Sequence, residues 1–260
     1  MSKILNFTKR NLKELLREPI ICIFCLAFPV VMLALFQIIN NYTGGNTPMF
    51  EMNSLLPAMI MFSYSFVMLA LAQIVSKDRQ SFFLKRLYST PMRPYHFIFG
   101  YFFVGIIIGI MQTLTCIICG LIISLITKAA FVSFLGIILM VLSQIPALLI
   151  FVFLGILLGV LFSDKSAPGV CSLFINVAGI LGGCWMPLET MGNFELICRF
   201  LPFYPLVYIG RAATSAKNSF GVAYQLDKVA YLGIIPIAIF LIASVVLSIV
   251  FFEKSMRSDK

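Results

Sequence analysis

The sequence predicts an all-α polytopic membrane protein: six transmembrane helices, an N-terminal interfacial amphipathic helix, and outer re-entrant helices between spans 5 and 6. Three observations lead there. Of 260 residues, 61% are hydrophobic and 11% are charged. A soluble domain carries roughly 25% charged residues, so a water-exposed surface could not be covered. Mean hydropathy is +1.03, and the apolar residues fall in runs long enough to cross a hydrocarbon core of about 30 Å. The 19 Lys and Arg residues sit in short segments between those runs, where anionic lipid headgroups meet them. The net charge of +9 therefore points to membrane lipid and not to nucleic acid. Disorder is excluded, since it needs low hydrophobicity.

Residues 1–19 form the first unit. At about 100° per residue, Ile4, Leu5, Thr8, Leu12, Leu15 and Leu16 fall within an arc of about 120°. Lys3, Lys9, Arg10, Lys13, Glu14, Arg17 and Glu18 take the other side, and Phe7 is the exception to the pattern. Such a helix lies in the membrane interface with its basic face toward headgroups. Pro19 ends it and turns the chain into the bilayer.

Residues 20–260 form the transmembrane domain. Span 1 covers 20–40 with Pro29 inside it. No small-x-small cleavage site comes after it, so a retained span is expected rather than a signal peptide. The loop 41–53 carries Gly44-Gly45 and Pro48 and no Lys or Arg. Its Asn41-Tyr42-Thr43 is a glycosylation sequon, meaningful only in a eukaryotic source. Span 2 covers 54–75, and the most polar stretch, 76–96, comes next. Spans 3 (97–126) and 4 (131–162) are each near 30 residues, about 45 Å of helix, so they must tilt, bend or project. Pro146 offers a kink. Gly105-x-x-x-Gly109 and Gly155-x-x-x-Gly159 permit close helix approach. A polar turn at 163–166 precedes span 5, 167–185. Residues 186–229 are interrupted by Pro187, Gly192, Pro202 and Pro205. They are too broken to span and read as short interfacial or re-entrant helices. Span 6 covers 230–252 and ends in a short basic tail.

Orientation is set by charge. With both termini cytoplasmic, 14 of the 19 Lys and Arg residues lie inside, as the positive-inside rule requires. Spans 1–4 and 6 contain no Asp, Glu, Lys or Arg. A proton-coupled transporter needs an ionisable group in its pathway, and an intramembrane enzyme needs acid–base partners. There is no G-x-x-x-x-G-K-[ST], H-E-x-x-H or G-x-S-x-G, so no nucleotide or catalytic site is expected. Cys22/Cys25 and Cys116/Cys119 lie in apolar runs, where Cys behaves as a small hydrophobe, and His96 is the only His; no metal site is expected. What remains is a passive conduit or a machine driven from outside the chain.

A driver has one place to attach. On a helix through 76–96, Phe83, Leu84 and Leu87 share one face while Asp78, Lys85 and Arg86 lie opposite. Thr90-Pro91 ends the helix, and Pro94 stiffens the start of the next segment. Three apolar residues are too few for a core and fit a groove on a partner. A solvated anchor on the membrane surface is the alternative. The charged rim in the docking reading is Asp78, Arg79, Lys85 and Arg86.

These residues carry a resemblance over essentially the whole chain. Lys77-Asp78-Arg79, Leu84 and Leu87, Ser89-Thr90-Pro91 and Gly100 resemble the first cytoplasmic loop of type-2 ABC exporter membrane subunits, the drug and polysaccharide exporter permease class. Lys77-Asp78-Arg79-Gln80 departs from that family's frequent Glu-Arg-Glu start. Arg17-Glu18-Pro19 with Pro29 is similar to the end of the family's N-terminal helix and its first span. Gly183-Cys184-Trp185-Met186-Pro187-Leu188, then Leu201-Pro202, Pro205 and Arg211, is similar to its last outer segment.

The resemblance implies a permease subunit of an ATP-driven exporter. Two such subunits, identical or homologous, form the pathway, lined mainly by spans 2 and 5. Separate ABC ATP-binding subunits dock below and carry ATP and Mg; this chain holds no cofactor. Residues 76–96, with Lys77, Asp78, Arg79, Phe83, Leu84, Lys85, Arg86, Leu87, Thr90 and Pro91, become the coupling element. Arg10, Lys13, Arg17, Glu18 and Pro19 belong to the supporting interfacial helix. The segment 186–210 becomes an outer gate, with Trp185, Pro187, Glu189, Arg199, Pro202 and Pro205. A bacterial plasma membrane and a hydrophobic or amphipathic cargo (a drug, peptide or lipid) are expected. The rival expectation is a polytopic membrane scaffold or assembly factor that transports nothing.

Overall fold

The computed structural model describes residues 2–17, 19–44, 47–80, 94–128 and 130–258. Its α-helices are α1 (Ser2–Leu16), α2 (Pro19–Tyr42), α3 (Met52–Gln80), α4 (Pro94–Thr127), α5 (Phe134–Leu161), α6 (Ala167–Leu181), α7 (Asn193–Arg199), α8 (Phe203–Ala213) and α9 (Lys228–Ser258). Among the described residues there are also single 3₁₀ turns at Pro48–Phe50 and Leu188–Thr190. Among the described residues there is no strand, only an isolated antiparallel bridge between Lys217 and Ala223. Among the described residues five helices, α2, α3, α4, α5 and α9, are long and apolar enough to cross a membrane. The helix α6 is apolar but has 15 residues, about 22 Å, short of a hydrocarbon core of roughly 30 Å.

Several boundaries differ from those the sequence predicts. Residues 76–80 are not loop but the last turn of α3, and 94–96 already belong to α4. The intervening 81–93, with Phe83, Leu84, Lys85, Arg86, Leu87, Thr90 and Pro91, lie outside the described residues. Span 5 stops at Leu181 instead of 185, because the chain turns at Gly182-Gly183. One short helix of the broken stretch, α8, runs past the expected 210 to Ala213, started by Pro202 and carrying Pro205 in its first turn, where a missing N–H costs no helical bond.

The hub of the fold is α3. Its spanning stretch is 94% buried, against 17% for α9, and α2, α4, α5, α6 and α8 all pack on it. The tightest seam is α3 against α5. A Cβ at Gly155 would stand 2.7 Å from the Met68 carbonyl oxygen, and one at Gly159 2.7 Å from that of Ala72. Only hydrogen fits at those two places, so this G-x-x-x-G serves packing within the chain. Polar side chains tie other helices together. Tyr64 and Thr113 share a hydrogen bond of 2.7 Å, and Gln112 Nε2 donates to the Cys25 carbonyl at 3.0 Å. Gln144 Nε2 donates to Leu206 at 3.0 Å. Cys184 and Cys198 are both buried free thiols.

Candidate functional site

At the basic end of the bundle, α1, α3 and α4 meet on one carboxylate. Asp78, on the last turn of α3, is buried. Arg10 of α1 grips it as a fork, Nη2 to Oδ1 at 2.8 Å and Nη1 to Oδ2 at 3.0 Å. Tyr101 of α4 donates its hydroxyl to Oδ2 at 2.7 Å. Arg10 also reaches Glu14 at 2.8 Å and the Asn11 side-chain oxygen at 2.9 Å. Burial opposes the Arg10 charge, but the hydrogen bonds and charge of Asp78 outweigh it and raise its pKa above the ordinary value. Two charge-assisted bonds in a fork are among the stronger hydrogen-bonding arrangements.

The docking of α1 corrects the two-faced reading of that helix. Phe7, Thr8, Asn11 and Leu15 are buried, while Leu5 and Leu16 are exposed. Phe7, the exception in the sequence pattern, is the anchor. Its ring meets Phe97 and Tyr101 edge-on at 5.4 and 5.1 Å. It fills the notch at Gly100, where a Cβ would fall 2.3 Å from the ring. The helix has three faces: one against the protein, one exposed and apolar, and one basic. A single amphipathic axis merges the first two.

Asp78 is also not part of an exposed rim, because its carboxylate is consumed inside the protein. Arg79 turns the other way, donating to the Val160 carbonyl and to that of Phe162 at 3.2 Å. It thereby satisfies the C-terminal carbonyls of α5. Lys77 remains exposed. With Lys9, Lys13, Arg17 and Glu14 it lines an open hollow of about 720 Å³. Glu18 lies outside the described residues, and the side chain of Pro19 likewise.

The opposite end is organised by Arg211 of α8, which is fully buried. Its Nε donates to the Ser54 carbonyl at 3.3 Å and its Nη2 to that of Gly183 at 2.9 Å. Its Nη1 reaches the Tyr224 hydroxyl at 3.5 Å, and Tyr224 in turn donates to Glu189. Burial raises the Tyr224 pKa, Arg211 opposes that, and Glu189 reinforces it, so this phenol stays protonated and donating. Thr214 donates to the Asn53 carbonyl at 2.6 Å. Arg211 thus joins the start of α3, the end of α6 and the last connecting segment.

The other residues expected at this end fall into place around it. Trp185 packs edge-on to Phe62 at 4.7 Å and stacks near Phe36 at 6.5 Å. Pro187 precedes the 3₁₀ turn that carries Glu189. Arg199 pairs with Glu195 at 2.8 Å, and Tyr204 donates to the same oxygen at 2.9 Å. Pro202 starts α8, and Pro205 is buried against α9, where a Cβ on Gly233 would stand 2.6 Å away. Tyr101 and Tyr224 have no motif around them, and nothing in the sequence pairs them with Asp78 and Glu189. Arg211 has a signal, a lone cation in an apolar stretch.

A family model described as ABC-2 type transporter matches residues 3–214. The chain belongs to the ABC-2 type transporter family. It is accordingly a multi-pass membrane protein and a permease of an ABC transporter, the transmembrane component and not the catalytic one. A search of the curated proteins finds no match to the chain. The matched stretch contains both the Arg10–Asp78 clasp and Arg211.

Proposed function

We propose that the chain is the permease subunit of an ATP-driven exporter, paired with a second permease subunit and driven by separate ATP-binding subunits that carry ATP and Mg. The observation that carries this reading is the clasp at the basic end, together with the family match. Residues 81–93 connect two helices, α3 and α4, that are both tied to α1 through Asp78. A push on that connection is therefore delivered to three elements at once. In this proposal Phe83, Leu84 and Leu87 enter a groove on the ATPase, with Lys85 and Arg86 around them.

The proposed topology has six spans, the fifth made by α6 and its flanking residues, with both termini cytoplasmic in a bacterial plasma membrane. Residues 1–19 form the interfacial helix, and 20–260 the transmembrane domain. The segment 186–210 dips into the outer leaflet as a gate. Support for the re-entrant segment comes from the break between α7 and α8 at Leu201-Pro202. The second copy and the pathway are placed beside α6. Ser172 and Asn176, with Gly169, form an exposed polar stripe on that apolar helix, an unfavourable surface to leave facing lipid. Of spans 2 and 5, only the fifth offers such a face, since α3 is enclosed within the chain. Apolar walls suit a hydrophobic or amphipathic cargo such as a drug, peptide or lipid.

Purification of the tagged chain from native membranes in mild detergent tests the reading. A P-loop ATPase should copurify in equal amount with the permease, and the complex reconstituted in vesicles should move cargo only with ATP. A chain that purifies alone and leaves cargo transport intact when deleted is a scaffold instead.

A further inference from the structure

The last connecting segment and α8 enclose a hollow of about 390 Å³. Its wall repeats one motif three times, a tyrosine whose hydroxyl donates to a carboxylate. Tyr224 donates to Glu189, Tyr204 to Glu195 at 2.9 Å, and Tyr208 to Asp227 at 3.1 Å. The rings stand at angles to each other: Tyr204 and Tyr208 at 57° and 6.0 Å, Tyr208 and Tyr224 at 88° and 5.0 Å. Three carboxylates against Arg199 leave the lining net negative. Above it, the turn closed by Asn218 presents Phe220 and Val222, both exposed.

We propose that this hollow binds an organic ammonium group, held by the half-buried Tyr208 ring, the exposed Phe220 ring and the negative lining. The chemistry selects it. Tyr204 and Tyr224 are buried, and Tyr208, half-buried, already donates to Asp227, so it offers a ligand its π-face more than a hydroxyl hydrogen. Aromatic faces attract cations that carry alkyl groups. An anion meets three carboxylates. A bare divalent ion needs six to eight oxygens converging at about 2.3–2.6 Å, and these carboxylates are spread around a wide hollow and occupied by phenols. Phe220 and Val222 supply apolar contact for the alkyl part. The chain shows the same chemistry on itself, with the Arg211 guanidinium 5.7 Å from the Tyr224 ring centre.

The site stands on this geometry alone and does not require the ATPase, so its test uses none. The full chain, in detergent, is titrated calorimetrically with choline, with the neutral carbon isostere of choline, and with phosphocholine. Choline should bind saturably and its neutral isostere about tenfold more weakly or worse, a difference of about 1.4 kcal/mol. Tyr208→Ala should weaken choline by about fivefold. Asp227→Asn should weaken it by about threefold, with the gap closing as salt rises. Asn at 227 can still cap α9, where Asp227 Oδ1 now accepts from the Val229 and Ala230 amides, so the fold survives that change. Either result with phosphocholine supports the site and names its source. Binding equal to choline assigns a lipid headgroup, and no binding assigns a free cation. No saturable heat with choline, equal affinity for the isostere, or unchanged affinity in both variants overturns the proposal.

Discussion

Two guanidinium groups bracket α3, and they are held in opposite ways. Arg10 sits about one-third exposed and grips a carboxylate through two charge-assisted bonds. Arg211 is sealed from solvent and is held by two neutral carbonyls and a phenol, with Glu189 one hydrogen bond further away. The guanidinium of Arg10 can be rehydrated if the pair parts, while buried Asp78 keeps the Tyr101 hydroxyl. A buried cation whose partners are backbone carbonyls cannot leave without stranding every one of them. The difference assigns the ends different duties. The basic end joins α1, α3 and α4 through one carboxylate. The other end fixes where α3, α6 and α8 meet.

The largest effect expected is therefore at Arg211. Replacing it with Met leaves the Ser54 and Gly183 carbonyls and the Tyr224 hydroxyl short of a partner, at about 1–3 kcal/mol for each buried group. A detergent-solubilised Arg211→Met chain should lose most of its monodisperse fraction, and Arg211→Lys should not restore it, because an ammonium lacks the fork that reaches three acceptors. A wild-type melting temperature for Arg211→Lys would show that the charge alone matters there, and the contrast between the two ends would collapse.

Next comes the clasp. Asp78→Asn removes the charge but keeps the shape, and should cost about 1–2 kcal/mol once the partial exposure of Arg10 is allowed for. In a double-mutant cycle with Arg10→Gln the two changes should be strongly non-additive. Additive losses would mean that α1 is held by Phe7 in the Gly100 notch and not by the ion pair. Tyr101→Phe is the smallest test of this end, at about 1 kcal/mol for one hydrogen bond. Denaturant titration of the three variants ranks them directly.

How much of the molecule is legible in the sequence depends on whether a residue's partner lies nearby in the chain. The spans α2, α4, α5 and α9 come from unbroken apolar runs, and their ends fall close to the expected places. Span 5 reads too long because Gly182-Gly183 and Trp185 are as apolar as the helix they terminate. In α1 the exposed and the protein-facing residues are both apolar, so periodicity cannot separate Leu5 from Phe7. Asp78 reads as a rim charge because its partners, Arg10 and Tyr101, lie 68 and 23 positions away. The Tyr–carboxylate pairs of the hollow are unreadable for a related reason: Tyr224 and Glu189 are 35 positions apart, across a segment with no periodic pattern.

The central claim is that the connection between α3 and α4 docks a separate ATPase and passes its motion to the clasp. The direct measurement is the affinity of that ATPase for wild type, Leu84→Asp and Leu87→Asp in detergent, with insertion checked by the yield of folded chain. Burial of a Leu side chain is worth roughly 1.5–3 kcal/mol. Each substitution should therefore weaken binding by about tenfold or more, while Lys85→Gln does less and matters less as salt rises. Normal insertion with undiminished ATPase binding and export in both Leu variants would contradict the claim and leave this stretch as a surface anchor.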